Sequence, residues 1–171
     1  WTQLGDDIDG ENAGDKAGQA LSLSSDGSIV AIGTPLNEDN GNSSGHVRVF
    51  QYSNSAWTQL GDDIDGDAAY DYSGSSVSLS SDGTIVAIGA FGANASSGRV
   101  RVYQRDESNT TVTPIGWSKI GDDIIGQQSS DQSGGSVSLS SDGTIVAIGA
   151  RFNDDTDNNA GHCRVYQRDE S

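Results

Sequence analysis

The chain has 171 residues, long enough for one domain with a real core, but only 33% are hydrophobic and 23 are Gly. Its interior must therefore be assembled from short apolar strands between polar turns, not from long amphipathic helices. With 25 Asp and Glu against 9 Lys and Arg the formal charge is -16, which excludes nucleic-acid phosphates and anionic membrane surfaces and leaves cations, basic proteins and neutral sugars as partners.

The single cysteine, Cys163, rules out an internal disulfide, and no apolar run approaches the ~18 residues needed to span a membrane. The chain opens on Trp1, inside a repeat, and is expected to be a mature, trimmed or fragmentary product. WTQLGDDIDG at Trp1 returns unchanged at Trp57 and as WSKIGDDIIG at Trp117, which divides a single repeat domain, 1–171, into modules 1–56, 57–116 and 117–171. Gly18, Gly74 and Gly134 keep the same spacing, as do the pairs Asp26-Gly27, Asp82-Gly83 and Asp142-Gly143.

Within each module the apolar period is two, which predicts strands. In SVSLSSDGTIVAIGA, Val77 and Leu79 alternate with serines to give a strand A; Asp82-Gly83 then predicts a tight hairpin with both turn residues at positive φ, and Ile85–Ile88 gives a strand B covered on both faces. The runs HVRVFQY, RVRVYQR and HCRVYQR alternate apolar with polar and predict strand C, with Cys163 in the core slot of Val47 and Val100. WTQLGDDI predicts strand D. The reading is all-β: a β-propeller of four-stranded antiparallel blades, three per chain, at about 20–64, 76–124 and 136–171, the last completed by strand 1–8. Because closed rings need about four to eight blades, two solutions remain. Either the chain is part of a truncated array, or two copies form a six-bladed homodimer by strand exchange.

Gly14–Pro35, GDKAGQALSLSSDGSIVAIGTP, resembles the FG-GAP repeat of integrin α-chain-like propellers. Gly18, Gly74 and Gly134 match the glycine of its "FG" turn, while Ala17, Ser73 and Ser133 replace the phenylalanine; IGTP and the two IGA segments match its "GAP" end. The resemblance implies an extracellular protein, secreted or at the cell surface, with adhesion or ligand-binding roles and often Ca²⁺ in the hairpin between A and B. Here that hairpin is Ser-Ser-Asp-Gly with one carboxylate, too short to wrap a cation that takes about six to eight oxygens.

In an up-and-down blade the D-to-A and B-to-C loops share one face, and most of the acids, Asp6, Asp62 and Asp122 among them, are expected there. Two readings of GDDIDG stand: Asp7, Asp9 and Asp15, repeated as Asp63, Asp65 and Asp71, could hold calcium, or Asp and Gly form turns through side-chain to backbone bonds. Asp155-x-Asp157-x-Asn159 starts like a calcium loop without its distal Glu. Asn42, Asn94 and Asn109 lie in N-x-[ST] sequons, making them glycosylation candidates. Trp1, Trp57 and Trp117 are either packing anchors or a sugar-stacking set.

No enzyme is expected. Gly41–Gly45 fits G-x-S-x-G without a strand-to-helix elbow, and His162 and Cys163 point to opposite faces of a strand. The expected function is adhesion or recognition of a protein or glycan through the acidic face, with calcium as an open cofactor. The alternatives are a structural unit of an extracellular filament, sheath or matrix, and a multivalent lectin with pockets between blades.

Overall fold

The SLSSDG phrase folds the chain back on itself in every module. In the computed structural model, which describes residues 1–169, the first copy joins strands β1 (Ala20–Leu23) and β2 (Ile29–Thr34). Strands β3 (His46–Ser53), β4 (Ala56–Gln59) and β5 (Ile64–Asp65) complete an antiparallel sheet in the order β1-β2-β3-β4, with β5 also pairing β3. The second module repeats this as β6 (Ser73–Leu79), β7 (Ile85–Ala90), β8 (Arg99–Arg105), β9 (Trp117–Lys119) and β10 (Ile124–Ile125). A third sheet contains β11 (Ser133–Leu139), β12 (Ile145–Ala150) and β13 (His162–Gln167).

The strands follow the expected alternation, with local differences. The segment expected as strand D is broken in two, because the chain leaves regular pairing after Leu60, whose N–H still donates to the Val49 carbonyl, and Gly61 takes φ 73°. Residues 1–8 pair with no strand and Trp1 is fully exposed. They nevertheless lie along the first sheet as the preceding segment lies along the second: Trp57 Nε1 donates to Leu4 O at 2.8 Å, and Trp117 Nε1 to Leu60 O at 2.8 Å. Trp57 and Trp117 are thus anchors between successive segments, whereas Trp1, expected in the same role, anchors nothing among the described residues.

The hairpins are wider than a two-residue turn. Gly27, Gly83 and Gly143 have positive φ but the preceding aspartates do not, so the chain turns through Ser-Ser-Asp-Gly-Ser/Thr, a type of longer loop built around one left-handed glycine. Asp26 Oδ1 accepts from Ser24 Oγ (2.7 Å), Ser28 N (2.9 Å) and Ser28 Oγ (2.8 Å), and Asp82 and Asp142 repeat the pattern.

Neighbouring sheets are joined through the alternating serines. Ser22 Oγ accepts from Leu79 N and Ser78 Oγ from Leu139 N, both at 2.9 Å. At the hairpins Ser25 N donates to Ser81 O and Ser81 N to Ser141 O. The core lies between sheets: Ile29, Val47, Val49 and Ile64 of the first meet Val77, Leu79, Val86, Ile88, Tyr103 and Trp117 of the second. A smaller cluster joins Ala87 and Val100 to Val146 and Ile148. β2 and β7 are buried throughout, whereas β12 is not, because nothing among the described residues covers the far face of the third sheet. Cys163 is accordingly exposed, although Val47 and Val100 in the same slot are fully buried.

Donors around the hairpin carboxylates hold Asp26 and Asp142 down at about 2 and Asp82 below its usual range: for Asp26 chiefly the Ser28 amide, for Asp82 and Asp142 chiefly the Ser80 and Ser140 hydroxyls. Their folded values lie below the unfolded value near 3.9, so the stability they contribute is complete above pH ~4 and is lost as pH falls towards 2. Acid titration followed by circular dichroism is expected to show unfolding in that window, with a shallower pH dependence for Asp142→Asn.

Candidate metal centre

At the end of the sheets opposite the hairpins, the connections before β1, between β2 and β3, and after β5 run together. Gly66 N donates to Gly45 O, Tyr70 N to Asn42 O, and Asn40 Nδ2 to Gly66 O. Strand β3 opens here with His46, whose side chain is completely buried. Around its Nδ1 stand Asp63 Oδ2 at 3.5 Å, Asp39 Oδ2 at 3.9 Å and Glu11 Oε2 at 4.0 Å. The ligand atoms of these four residues all lie within 4.8 Å of one another, so the group could hold a metal ion.

Neither nitrogen of His46 has a hydrogen-bond partner. An imidazolium bonded to a carboxylate would sit at about 2.7–2.9 Å, so the ring is close to three carboxylates without bonding any of them. Burial pushes the His46 pKa down, against the pull of Asp63 and Glu11. Asp65, whose Oδ1 is also buried and unpartnered, is pushed up to about 6 by burial and by Asp63, Asp39 and Glu11. Both shifts describe a partly dry pocket with an excess of negative charge.

The second sheet fills the same place differently. By the repeat spacing Glu11, Asp15, His46 and Asp63 correspond to Asp67, Asp71, Arg99 and Asp123. Arg99 lies 2.7 Å from Asp67, 2.7 Å from Asp71 and 3.5 Å from Asp123. The third sheet keeps His162 and Asp155, 3.8 Å apart, in the places of His46 and Asp39, but has Gln127 for Glu11.

Of the acids expected to bind calcium, only Asp63 joins this cluster. Asp7 accepts from Gln3 Nε2, and the Asp9 carbonyl accepts from Arg48 at 2.6 Å. Asp15 is a turn residue: its Oδ2 accepts from Asn12 N and Asn37 Nδ2, and Asp131 does the same with Gln128 N and Asn153 Nδ2. Asp71 is spent on Arg99, and the Asp65 carbonyl accepts from Arg101. In the third loop Asp155 accepts from Gln128 of the connection before β11, while Asp157 accepts from Asn158 N and Asn159 N donates to Asp154 within the loop. Asp62 departs from the acidic end, since its Oδ2 accepts from Ile115 N in the connection from β8 to β9. Asn42 and Asn94 are exposed, whereas Asn109 Nδ2 donates to Val112 O, Pro114 O and Trp117 O. An amide so engaged pins its own loop and is a poor glycan acceptor.

His46, Glu11 and Asp39 were missed because the four ligands come from three separated connections and no local spacing joins them. The readable signal was the column His46, Arg99, His162 at the start of each third strand, where both histidines follow an acidic loop and the arginine follows a loop without acids.

No family model matches the chain, and no curated protein matches it. Among solved structures it is similar to Sqt1 of Saccharomyces cerevisiae (15% identity, TM-score 0.52, 91% of this chain and 34% of that one). It is also similar to hydrazine synthase of Kuenenia stuttgartiensis (14% identity, TM-score 0.51, 86% and 44%). The chain thus spans less than half the length of these proteins, and the likeness supports a propeller-like all-β fold. No helix among the described residues is long and apolar enough to cross a membrane.

Arg99→Ala leaves the almost fully buried Asp71 without its cation, while Asp67 keeps Arg101 and Asp123 keeps Lys119. Breaking such a buried pair costs about 3 kcal/mol, so chemical denaturation is expected to show a loss of that order, largely spared in Arg99→Lys.

Proposed function

We propose that the chain is a non-enzymatic propeller module of three blades that acts in recognition, and that a second copy finishes its ring. The observation that carries this is a cavity of about 450 Å³ between the second and third sheets, lined by Val102, Ile120, Ile124, Leu139, Val146 and Tyr166 among others. By the repeat spacing these residues match Val49, Leu60, Ile64, Leu79, Val86 and Tyr103, which share one core cluster with Trp117 between the first and second sheets. Trp117 is 1% exposed in its slot; among the described residues the corresponding slot one sheet further on holds no tryptophan, and the chain's own Trp1 stands in solvent.

Trp1–Gly10 is identical to Trp57–Gly66. Delivered by a second copy, it pairs with β13 in the register already used by β4 on β3, where Tyr52 faces Trp57 and Phe50 faces Gln59. Arg168 then faces Trp1 and Tyr166 faces Gln3. The far face of the third sheet is equally unfinished: Val165 is 67% exposed where its counterpart Val49 is 1% exposed. At the other end Leu21 is 61% exposed where Val77 is 8% exposed. Apposing these two ends buries both, and two copies of three blades make six, within the range of closed rings.

The finished module presents its acidic loops, with Glu38, Asp154 and Asp157 exposed, to a basic partner. We place it outside the cell, where the exposed Asn42 and Asn94 sequons are substrates for glycosylation. A structural reading draws on the same ends: a head-to-tail contact that does not close grows into a filament.

Mass measurement in solution tests the assembly. Two chains of 17.7 kDa give about 35 kDa, and Trp1→Ala is expected to yield monomer; a monomeric parent chain refutes the ring, and a polydisperse series selects the filament. Recognition is checked by capture of a cationic peptide, expected to fail when Glu38, Asp154 and Asp157 become amides.

A further inference from the structure

We propose that Glu11, Asp39, His46 and Asp63 form a binding site for a divalent transition-metal cation of the zinc class, a site independent of ring closure. The first support is the donor set. One buried imidazole with both nitrogens unpartnered faces three carboxylate oxygens at 3.5–4.0 Å. Zinc takes His nitrogen and carboxylate oxygen at about 2.0–2.2 Å, which places tetrahedral ligand atoms roughly 3.4 Å apart. The observed group is an expanded version of that shell, with its ligand atoms all within 4.8 Å of one another. Three carboxylates alone would suit Ca²⁺ or Mg²⁺ as well; the imidazole at the closed end moves the preference to metals that accept nitrogen.

The second support is independent and comes from the neighbouring sheet. There the matching pocket already contains its cation, the Arg99 guanidinium, bonded to Asp67 and Asp71 at 2.7 Å and close to Asp123. Glu11 and Asp63 of the first sheet match Asp67 and Asp123, Asp39 joins them from a loop that has no acid in the second sheet, and His46 stands where Arg99 carries its guanidinium. Arg48, two residues on, reaches only Glu11, at 3.6 Å, and spends its other nitrogen on the Asp9 carbonyl. The repeat therefore builds an acidic pocket that requires a positive charge, supplied by a side chain in one copy and by a bound ion in the other.

The carboxylates of Glu11 and Asp39 are 40% and 53% exposed, so an ion enters from solvent on the acidic face and meets the buried imidazole last. Asp63 is held for this role by Gln59 Nε2, which donates to its Oδ1 at 2.6 Å and leaves Oδ2 free to face His46. That bond fixes the carboxylate in the manner of an outer-shell partner.

The test is titration of Zn²⁺ into chelator-treated protein by calorimetry, with Ca²⁺ in parallel and the visible spectrum of Co²⁺ as a report on nitrogen ligation. The expected result is one Zn²⁺ per chain, a higher melting temperature with Zn²⁺ than with equimolar Ca²⁺, and a nitrogen-ligated Co²⁺ spectrum. His46→Arg places the second sheet's guanidinium in the pocket, and it is expected to fold with an unchanged far-ultraviolet spectrum and lose more than about 100-fold in Zn²⁺ affinity, beyond the 10–100-fold typical of outer-shell changes. Asp39→Asn, at an exposed position, keeps the fold whatever His46→Arg does, and it is expected to bind Zn²⁺ at least about tenfold more weakly. Absence of Zn²⁺ binding, unchanged affinity in Asp39→Asn, or stabilisation by Ca²⁺ equal to that by Zn²⁺ each overturns the proposal. Loss of Zn²⁺ binding in a protein that still dimerises, or its persistence in the Trp1→Ala monomer, separates this site from the assembly.

Discussion

The architecture depends on serine hydroxyls that accept backbone N–H groups across sheets. A strand at the inner edge of a sheet carries unpaired amides that would be costly to bury. Here Ser22 and Ser78 satisfy the amides of Leu79 and Leu139 on the next sheet, so each inner strand is both end and beginning. The alternation that puts Leu and Val into the core on one side of the strand puts Ser on the other, and neither half of the pattern works alone. Glycine sets the distance: a Cβ on Gly33 would collide with the backbone of Gly74, and one on Gly89 with that of Gly134. The phrase is repeated with so little drift because each copy must fit its own hairpin and both neighbouring backbones at once.

This also explains what was legible in the sequence and what was not. Strands announce themselves locally, through Val77 and Leu79 among serines or through the continuous apolar run Ile85–Ile88, and these positions are strands in the structure. The position of Gly27 as the left-handed residue was readable, but the conformation of Asp26 was not, because the Ser24 and Ser28 hydroxyls hold its carboxylate in a wider loop. The outer segment was misjudged for a tertiary reason: WTQLGDDI has strand character throughout, but the close approach of Gly61 to Ile115 and Trp117 bends it out of pairing. Cys163 was read from its repeat slot, which is right for the fold and wrong for burial, since burial is a property of the next sheet and not of the residue.

The acidic loops carry the same lesson into the site. D-x-D spacing is a local signal, and the aspartates read beside it as further ligands can be turn residues: Asp15, like Asp131, binds an amide three residues back and an asparagine 22 residues on. Convergence around His46 is a non-local property, made by three connections that meet only after the first sheet has formed. Comparing copies within one chain recovers part of what spacing misses. A column that reads His, Arg, His beside acidic loops marks a place where charge must be balanced, and in the second copy the Arg99 guanidinium balances it.

Because each sheet is held almost entirely by its neighbours, stability along the stack behaves like a one-dimensional chain of coupled units. An open row of n units has n - 1 couplings and a closed row has n, so the end members of an open row are each missing one. The exposure of Val165 and Leu21 is the visible form of that deficit. Wherever the ends are not apposed, fraying is therefore directional: the third sheet, with one neighbour and three strands among the described residues, is the first unit to open to solvent exchange, and the second, coupled on both sides, is the last.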